Sequence, residues 1–184
     1  MTHMKKLNKV VVVTGASSGI GLATASFFAQ TGCKAYGLSR RGTSDGLFVG
    51  VACDVTDYAA VQRVLDDVVA ADGRIDVFVN NAGMGISGAV EHIPSQQTEN
   101  LFRLNTLATM ECARLALPYL KKSKGTLVNV SSVAAVVPIP YQTAYSASKA
   151  AINTFTQALR LELKGSGVRV CAVMPGDTKT GFTD

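Results

Sequence analysis

Tyr145 and Lys149 are the two residues whose types and spacing best suit acid–base chemistry. They stand four residues apart in a segment, Thr143–Lys164, that is predicted to be helical, so both side chains lie on one helix face. A free tyrosine has a pKa of about 10 and is a poor base at neutral pH, but a neighbouring ammonium favours the phenolate and lowers that pKa. The pair could then exchange a proton with a carbonyl or hydroxyl oxygen. Tyr141 is a competing tyrosine, but the residue four positions after it is not a lysine.

A glycine-rich segment with the sequence TGASSGIG, Thr14–Gly21, joins the first predicted strand to the first predicted helix. Glycines let the backbone turn tightly and approach a ligand closely. The helix that follows offers free N–H groups and the positive end of its dipole to a pyrophosphate. A purely structural turn is the alternative interpretation. The phosphate loop of ATPases is excluded, because no Gly-Lys-Ser or Gly-Lys-Thr follows.

Strands and helices are predicted to alternate along the chain, and the strands are near-continuous apolar runs, which is typical of strands buried on both faces. This order predicts one α/β domain over 1–184, with a doubly wound parallel sheet in a three-layer αβα arrangement. The predicted strands are Val10–Val13, Lys34–Ser39, Leu47–Cys53, Asp76–Val79, Thr126–Ser131 and Val168–Met174. The predicted helices are Ile20–Thr31, Asp57–Ala71 with a cap at Thr56, Thr98–Leu120 and Thr143–Lys164.

Four sequence blocks occur in the order in which one enzyme family carries them. They are TGxxxGxG at 14–21, NNAG at 80–83, Ser132 followed by Tyr-x-x-x-Lys at 145–149, and Pro175-Gly176 with Thr180. In these blocks the chain resembles the short-chain dehydrogenase/reductase family in its compact branch, which has a Rossmann-like fold. The extended branch, with its sugar-nucleotide epimerases and dehydratases, spaces the glycine turn as TGxxGxxG and fits less well.

The resemblance implies an oxidoreductase that moves a hydride between a nicotinamide cofactor and a carbonyl or secondary alcohol. Tyr145 would exchange the proton, Ser132 would orient the substrate oxygen, and Lys149 would bind the nicotinamide ribose. An oxidised nicotinamide would add to the effect of Lys149 on the tyrosine pKa. Asn105 matches the family's asparagine that holds a water in a proton relay, although buried asparagines often just cap backbone groups. Ser131 would point to the other side of its strand from Ser132.

Further residues are implied to bind the cofactor, and the segment after the second strand favours NADP(H) over NAD(H). An acidic residue there would bind the ribose hydroxyls and repel a 2′-phosphate, whereas this chain has Arg40 and Arg41, and a guanidinium suits a phosphate. Arg40 is the expected contact and Arg41 the second, unless both are simply solvated. Asp54-Val55 resembles the family's adenine-edge contact, unless Asp54 only caps a turn. The full set of expected cofactor-binding residues is Gly15, Ser17, Ser18, Gly19, Ile20, Gly21, Arg40, Arg41, Asp54, Val55, Asn81, Ala82, Gly83, Tyr145, Lys149, Pro175, Gly176, Thr178 and Thr180.

Composition argues against several other classes of protein. The 184 residues are 47% hydrophobic and 17% charged, unlike a disordered chain, and the net charge of +5 lacks the clusters of a nucleic-acid-binding protein. The cysteines, at 33, 53, 112 and 171, contain no CxxC pair, so we expect no metal site and a reducing cytoplasm. No apolar run approaches the roughly 18 residues of a membrane span. The apolar run after Lys9 is too short for a signal peptide.

The chain ends at Asp184, inside the region where family members continue with a mobile substrate-covering segment, a last helix and a last strand. We therefore expect a domain without these parts, either a short family member or a fragment of such an enzyme. The residues left to shape a substrate pocket are Met84–Ser87, Val133–Tyr141 and Met174. The apolar run Val136–Pro140 among them favours a hydrophobic ketone or aldehyde, although core packing would also explain it. A non-catalytic NADP(H)-binding regulator is the alternative function.

The two longest predicted helices carry more apolar residues than one buried face requires. The resemblance implies that these helices pair with their copies in an isologous homodimer, or in a homotetramer. The residues concerned are Leu101, Leu104, Leu107, Met110, Leu115, Leu117, Ile152, Phe155, Ala158, Leu159 and Leu163.

Overall fold

The structure, a computed structural model, describes residues 7–178 and contains one parallel sheet of six strands. The strands are β1 (Val10–Thr14), β2 (Lys34–Ser39), β3 (Val49–Ala52), β4 (Val77–Asn80), β5 (Thr126–Val130) and β6 (Arg169–Val173). Their order across the sheet is β3-β2-β1-β4-β5-β6, with every pair parallel. The predicted doubly wound sheet in a single domain is confirmed.

Five α-helices and one wide helical segment flank this sheet. The helices are α1 (Gly19–Gln30), α2 (Tyr58–Asp72), α3 (Ser95–Phe102), α4 (Thr109–Ser123) and α5 (Thr143–Glu162). A π-helical segment, Arg103–Ala108, joins α3 to α4 without a break, and 3-10 turns occupy Val90–His92 and Val133–Ala135. Within residues 7–178 no helix has the length and apolar character needed to cross a membrane.

The central strand β1 shows why helices cover both faces of the sheet. Its first four residues are valines, and all of them are buried. Val11 and Val13 belong to an apolar cluster with Ala25 of α1, whereas Val10 and Val12 belong to a cluster that includes residues of α2, α4 and α5. A strand with apolar side chains on both faces needs a helical layer on each side, and the three-layer αβα arrangement follows.

Several predicted helix boundaries differ from the structure by one to three residues, and two of the differences have a visible cause. Asp57, not Thr56, caps α2, because its carboxylate accepts a hydrogen bond from the backbone N–H of Ala60 at 3.0 Å. Thr56 instead donates to Asp54 from both its backbone N–H and its hydroxyl. The helix predicted to begin at Thr98 begins at Ser95, directly after Pro94, and its middle is the π-helical segment.

The apolar residues assigned from the sequence to a subunit interface divide into three groups. Five of them are buried within the single chain: Leu101, Leu115, Ile152, Leu159 and Leu163. Four are half-buried: Leu104, Met110, Leu117 and Phe155. Leu107 and Ala158 are exposed, and Leu161 of α5 is 75% exposed. The apolar surface of these helices is therefore smaller than the sequence predicts.

Candidate active site

A cleft of about 1330 Å³ lies along the edge of the sheet where the strands end. Residues that follow all six strands line it, and this edge is where open parallel sheets bind their ligands. Most of the predicted site residues meet there: Gly15, Ser17, Ser18, Gly19, Ile20, Arg40, Asp54, Val55, Asn81, Ala82, Gly83, Ser132, Tyr145, Lys149, Pro175, Gly176 and Thr178. In the part of the chain that the structure describes, the wall does not include Gly21, Arg41 or Asn105. Thr180 lies outside the described residues.

The glycine turn after β1 is held against the turn after β4. The Thr14 hydroxyl accepts hydrogen bonds from the backbone N–H groups of Asn81 and Ala82, at 2.9 and 3.0 Å. The side-chain amide of Asn81 in return donates to the carbonyls of Thr14 and Gly15. Gly15 has a φ of +67°, and a Cβ on Gly21 would lie 2.2 Å from the Gly15 carbonyl oxygen. Both positions therefore need glycine, which explains the first and last glycines of the motif.

The N-terminus of α1 opens into this cleft through Ser18, Gly19 and Ile20. Ser18 is the N-cap, but its side chain does not cap the helix, and the first turn carries no acidic residue. The N–H groups of such a turn suit an anionic ligand. Together with the glycine cradle, this donor set fits the pyrophosphate of a dinucleotide.

Arg40 and Asp54 stand at the end of the cleft that lies beside β2 and β3. Hydrogen bonds from the backbone and hydroxyl of Thr56 are the main cause of a lowered pKa at Asp54, and the charges of Arg40 and Arg103 lower it further. Asp54 thus caps a turn, as the alternative interpretation had it, and also lines the cleft. Arg103 was missed by the sequence analysis, because it lies inside a long predicted helix with no motif of its own.

Tyr145, Lys149 and Ser132 come together at the other end of the cleft. The Lys149 ammonium lies 5.9 Å from the centroid of the Tyr145 ring and donates a hydrogen bond to the Val130 carbonyl at 3.0 Å. Lys149 is only 4% exposed, and this burial lowers its pKa to about 8. Burial raises the pKa of Tyr145, and a hydrogen bond with Ser132 acts in the opposite direction. The expected net lowering of the tyrosine pKa is therefore not produced by the described residues alone.

Ser131 and Ser132 both line the cleft, but their hydroxyls have different partners. Ser132 lines the cleft, and its hydroxyl accepts a hydrogen bond from the backbone N–H of Ala134. Ser131 is buried, and its hydroxyl donates to the Lys149 carbonyl at 3.1 Å. This bond from Ser131 helps to hold in place the helix that carries Tyr145 and Lys149.

Asn105 is fully buried in the π-helical segment behind the cleft wall. Its side-chain oxygen accepts from the Met84 backbone N–H at 2.8 Å, and its amide donates to the Met84 carbonyl and to the Ser148 hydroxyl. Ser148 is the residue before Lys149 and donates to the Tyr145 carbonyl. These contacts match the alternative interpretation of Asn105, an amide that holds backbone groups.

A second group of buried polar side chains fastens α5 to the sheet. Asn80 and Asn129 are register partners on β4 and β5, and the amide of Asn80 donates to the side-chain oxygen of Asn129 at 2.9 Å. The amide of Asn129 donates to the Thr156 hydroxyl at 3.0 Å, and that hydroxyl donates to the Ile152 carbonyl. The catalytic candidates on α5 are thus positioned by polar bonds as well as by apolar packing.

The apolar segment after β5 is exposed rather than buried. Val136 is 64% exposed, and Val137 and Ile139 are exposed as well. Val133 and Ile139 line the cleft next to Ser132. Core packing therefore does not explain this run, and it forms an apolar rim at the Tyr145 end of the cleft. Cleft residues that were not predicted to lie in the site include Leu38, Cys53, Thr56, Asn100, Leu104, Gln142 and Asp177.

Comparison with known proteins assigns the fold and these motifs to one family. A family model described as short chain dehydrogenase matches residues 9–184. A 3-ketodihydrosphingosine reductase of Bacteroides thetaiotaomicron is 38% identical over 178 residues, which are 96% of this chain and 66% of that relative. The chain therefore spans about two thirds of that relative's length.

Solved structures agree with this match. A 3-ketoacyl-(acyl-carrier-protein) reductase from Brucella melitensis, complexed with NADH, has a TM-score of 0.89 at 27% identity. The match covers 95% of this chain and 78% of the reductase chain. The protein ElxO with NADP bound has a TM-score of 0.88 at 29% identity, and the match covers 95% of this chain and 76% of the ElxO chain. The chain belongs to the short-chain dehydrogenase family.

Proposed function

We propose that this protein is an oxidoreductase that transfers a hydride between NADP(H) and a carbonyl or secondary alcohol. The observation that carries the proposal is the group at one end of the cleft, where Tyr145 is hydrogen-bonded to Ser132 and lies beside the buried ammonium of Lys149. A phenol, a hydroxyl and an ammonium that face one cavity can together bind and protonate a substrate oxygen.

Each of these side chains has a separate task in the proposed reaction. Tyr145 donates its proton to the substrate oxygen during reduction and takes it back during oxidation. Ser132 donates a hydrogen bond to the same oxygen and so holds the carbonyl in place. Lys149 stabilises the phenolate by its charge. Asn105 is assigned a positioning role, because its side chain ties Met84 and Ser148 together behind the wall.

The residues of the cleft also fit a nicotinamide dinucleotide. When bound, the nicotinamide supplies the hydride. The turn from Gly15 to Ile20 and the N-terminus of α1 would hold the pyrophosphate, and Lys149 would hold the nicotinamide ribose. Arg40, exposed in the cleft wall, would bind a 2′-phosphate. One structural neighbour carries NADH and another NADP, so we rest the preference for NADP(H) on Arg40.

The substrate is proposed to be an apolar ketone or aldehyde. The exposed apolar rim after β5 supports this, since it would otherwise be open to water. A relative that matches 96% of this chain is a 3-ketodihydrosphingosine reductase, which by its name reduces a ketone. We further propose a homodimer or homotetramer formed through α4 and α5, and a cytoplasmic location.

Tyr145→Phe tests the proposed chemistry, because it removes one hydroxyl and keeps the ring. With NADPH and a panel of apolar ketones and aldehydes, turnover should fall by about 10²- to 10⁴-fold while NADPH affinity changes little. Tyr141→Phe is the matched control, because Tyr141 is exposed on the rim and should be dispensable for proton transfer.

Two results would contradict the proposal. One is near-normal reductase activity of the Tyr145 variant on a good substrate. The other is a wild-type protein that binds NADPH but reduces none of the panel, which would favour the non-catalytic regulator.

A further inference from the structure

Arg103 brings a second guanidinium to the adenosine end of the cleft, from an element that carries no cofactor motif. Arg40 follows β2 and Asp54 follows β3. Arg103 is the first residue of the π-helical segment, which comes after β4 in the chain. All three residues line the same cleft. After the hydrogen bonds from Thr56, the charges of Arg40 and Arg103 lower the pKa of Asp54 further, so both arginines lie near enough to that carboxylate to act on it.

Both guanidiniums remain available to a ligand. Among the ion pairs of residues 7–178, neither Arg40 nor Arg103 takes part. One oxygen of Asp54 accepts from Thr56, and both arginines are exposed. An anion that entered this end of the cleft would therefore meet two cations that form no ion pair within residues 7–178.

The charge balance of the group formed by Arg40, Asp54 and Arg103 shows what Arg103 contributes. A cofactor with a 2′-phosphate would experience repulsion from the Asp54 carboxylate. Arg40 alone would only offset that repulsion, whereas Arg40 and Arg103 together leave the group with a net positive charge. Because exposed charges act over a Debye length of about 8 Å at physiological salt, Arg103 can contribute without direct contact.

We propose that Arg103 is a specificity-determining residue that favours the 2′-phosphate of NADP(H) by its charge. This inference rests on the proposed function, in which NADP(H) is the cofactor. It assigns Arg103 a different task from stacking on the adenine ring, which would strengthen NADPH and NADH binding equally.

Titration of NADPH and of NADH into the wild type and two variants tests the inference. Arg103→Gln removes the charge and should weaken NADPH binding by about 3- to 10-fold, while the dissociation constant for NADH changes by less than about twofold. Arg103→Lys keeps the charge and should bind NADPH within about twofold of the wild type. Raising the salt concentration should reduce the difference between wild type and Arg103→Gln.

Lys164→Gln is the matched control, since it removes one positive charge from an exposed position beyond the end of α5, away from the cleft wall. It should leave both affinities unchanged. Equal weakening of NADH and NADPH by Arg103→Gln would overturn the inference in favour of stacking, and unchanged NADPH binding would also overturn it. The wild type tests the cofactor preference separately. If it binds NADH as tightly as NADPH, the proposed NADP(H) preference fails, whatever the variants do.

Discussion

Asp76 offers a test of the fold that is independent of the active site. It precedes β4 at the edge of the sheet opposite the cleft and is 2% exposed. Its carboxylate accepts hydrogen bonds from the Val10 backbone N–H at 2.9 Å and from the side chains of Lys9 and Arg74. Its own backbone N–H donates to the Val10 carbonyl at 2.8 Å. Asp76 thus joins the start of β1 to the residue that precedes β4.

Asp76→Asn keeps the size of the side chain and removes its charge. A hydrogen bond to a charged group contributes about 1.5–3 kcal/mol. The contribution from Lys9 and Arg74 lies toward the lower end, because their side chains are 47% and 49% exposed and water screens them. The new amide also points N–H groups at two cationic donors. We expect the free energy of unfolding at pH 7 to fall by about 2–3 kcal/mol.

The pH dependence of stability follows from the direction of the Asp76 pKa. Burial raises this pKa, but the hydrogen bonds from Val10, Arg74 and Lys9 outweigh burial and lower it overall. The unfolded chain then takes up the proton first as the pH falls. The stabilisation is therefore complete above the unfolded pKa of about 3.9 and is lost as the pH falls from there through the folded value. Asparagine does not titrate, so the wild type and the variant should converge in acid.

Urea unfolding at pH 7 and at steps down to about pH 3 measures both effects. Asp67→Asn, an exposed residue of α2, is the matched control and should change stability by less than about 0.5 kcal/mol. Asp76→Asn with a stability within about 0.5 kcal/mol of the wild type at pH 7 would refute the reasoning. A constant difference between the two proteins from pH 7 to pH 3 would refute the pKa argument alone.

Three further substitutions test the cradle, the buried amide pair and the assembly. Gly21→Ala places a Cβ 2.2 Å from the Gly15 carbonyl oxygen. NADPH binding in a fluorescence titration should therefore weaken by more than about 10-fold. Unchanged binding would contradict the role of the glycine turn in holding the pyrophosphate. Thr156→Val leaves the Asn129 amide without its acceptor and should lower the free energy of unfolding by about 1–3 kcal/mol, and Thr156→Ser should restore most of the loss. Leu161→Arg, on the exposed face of α5, should convert the proposed dimer to a monomer in light scattering, and a wild type that is already monomeric would exclude the assembly.

The sheet and the meeting of the motifs could be predicted from the sequence. Apolar runs such as Val10–Val13 indicate strands buried on both faces, and β1 is such a strand. The carboxyl ends of parallel strands share one edge of the sheet, so motifs that follow different strands must meet there. Tyr145 and Lys149 share a helix face because four residues make about one turn.

Other features depend on tertiary contacts that periodicity does not contain. Thr56 and Asp57 are both good N-caps, and only the turn at Asp54 decides between them. The run at Val136–Pro140 is as apolar as a core segment, yet it is exposed. The bond between Asn80 and Asn129 requires the register of β4 against β5. Arg103 is the first residue of the π-helical segment and lines the cleft, and helical periodicity does not predict that segment.

The π-helical segment Arg103–Ala108 is the place where the long helix formed by α3 and α4 could lose a residue without disturbing its packing. A π-turn closes with i→i+5 hydrogen bonds and holds one residue more than an α-turn. Both flanks have a fixed face, since α3 buries Leu101 and α4 buries Cys112. A one-residue deletion in either flank would rotate that face by about 100°, whereas a deletion within Arg103–Ala108 would restore regular winding and keep both faces in place. Regular winding would also withdraw the Asn105 amide from Met84. The length of this helix and the position of the Asn105 amide therefore depend on the same wide turn.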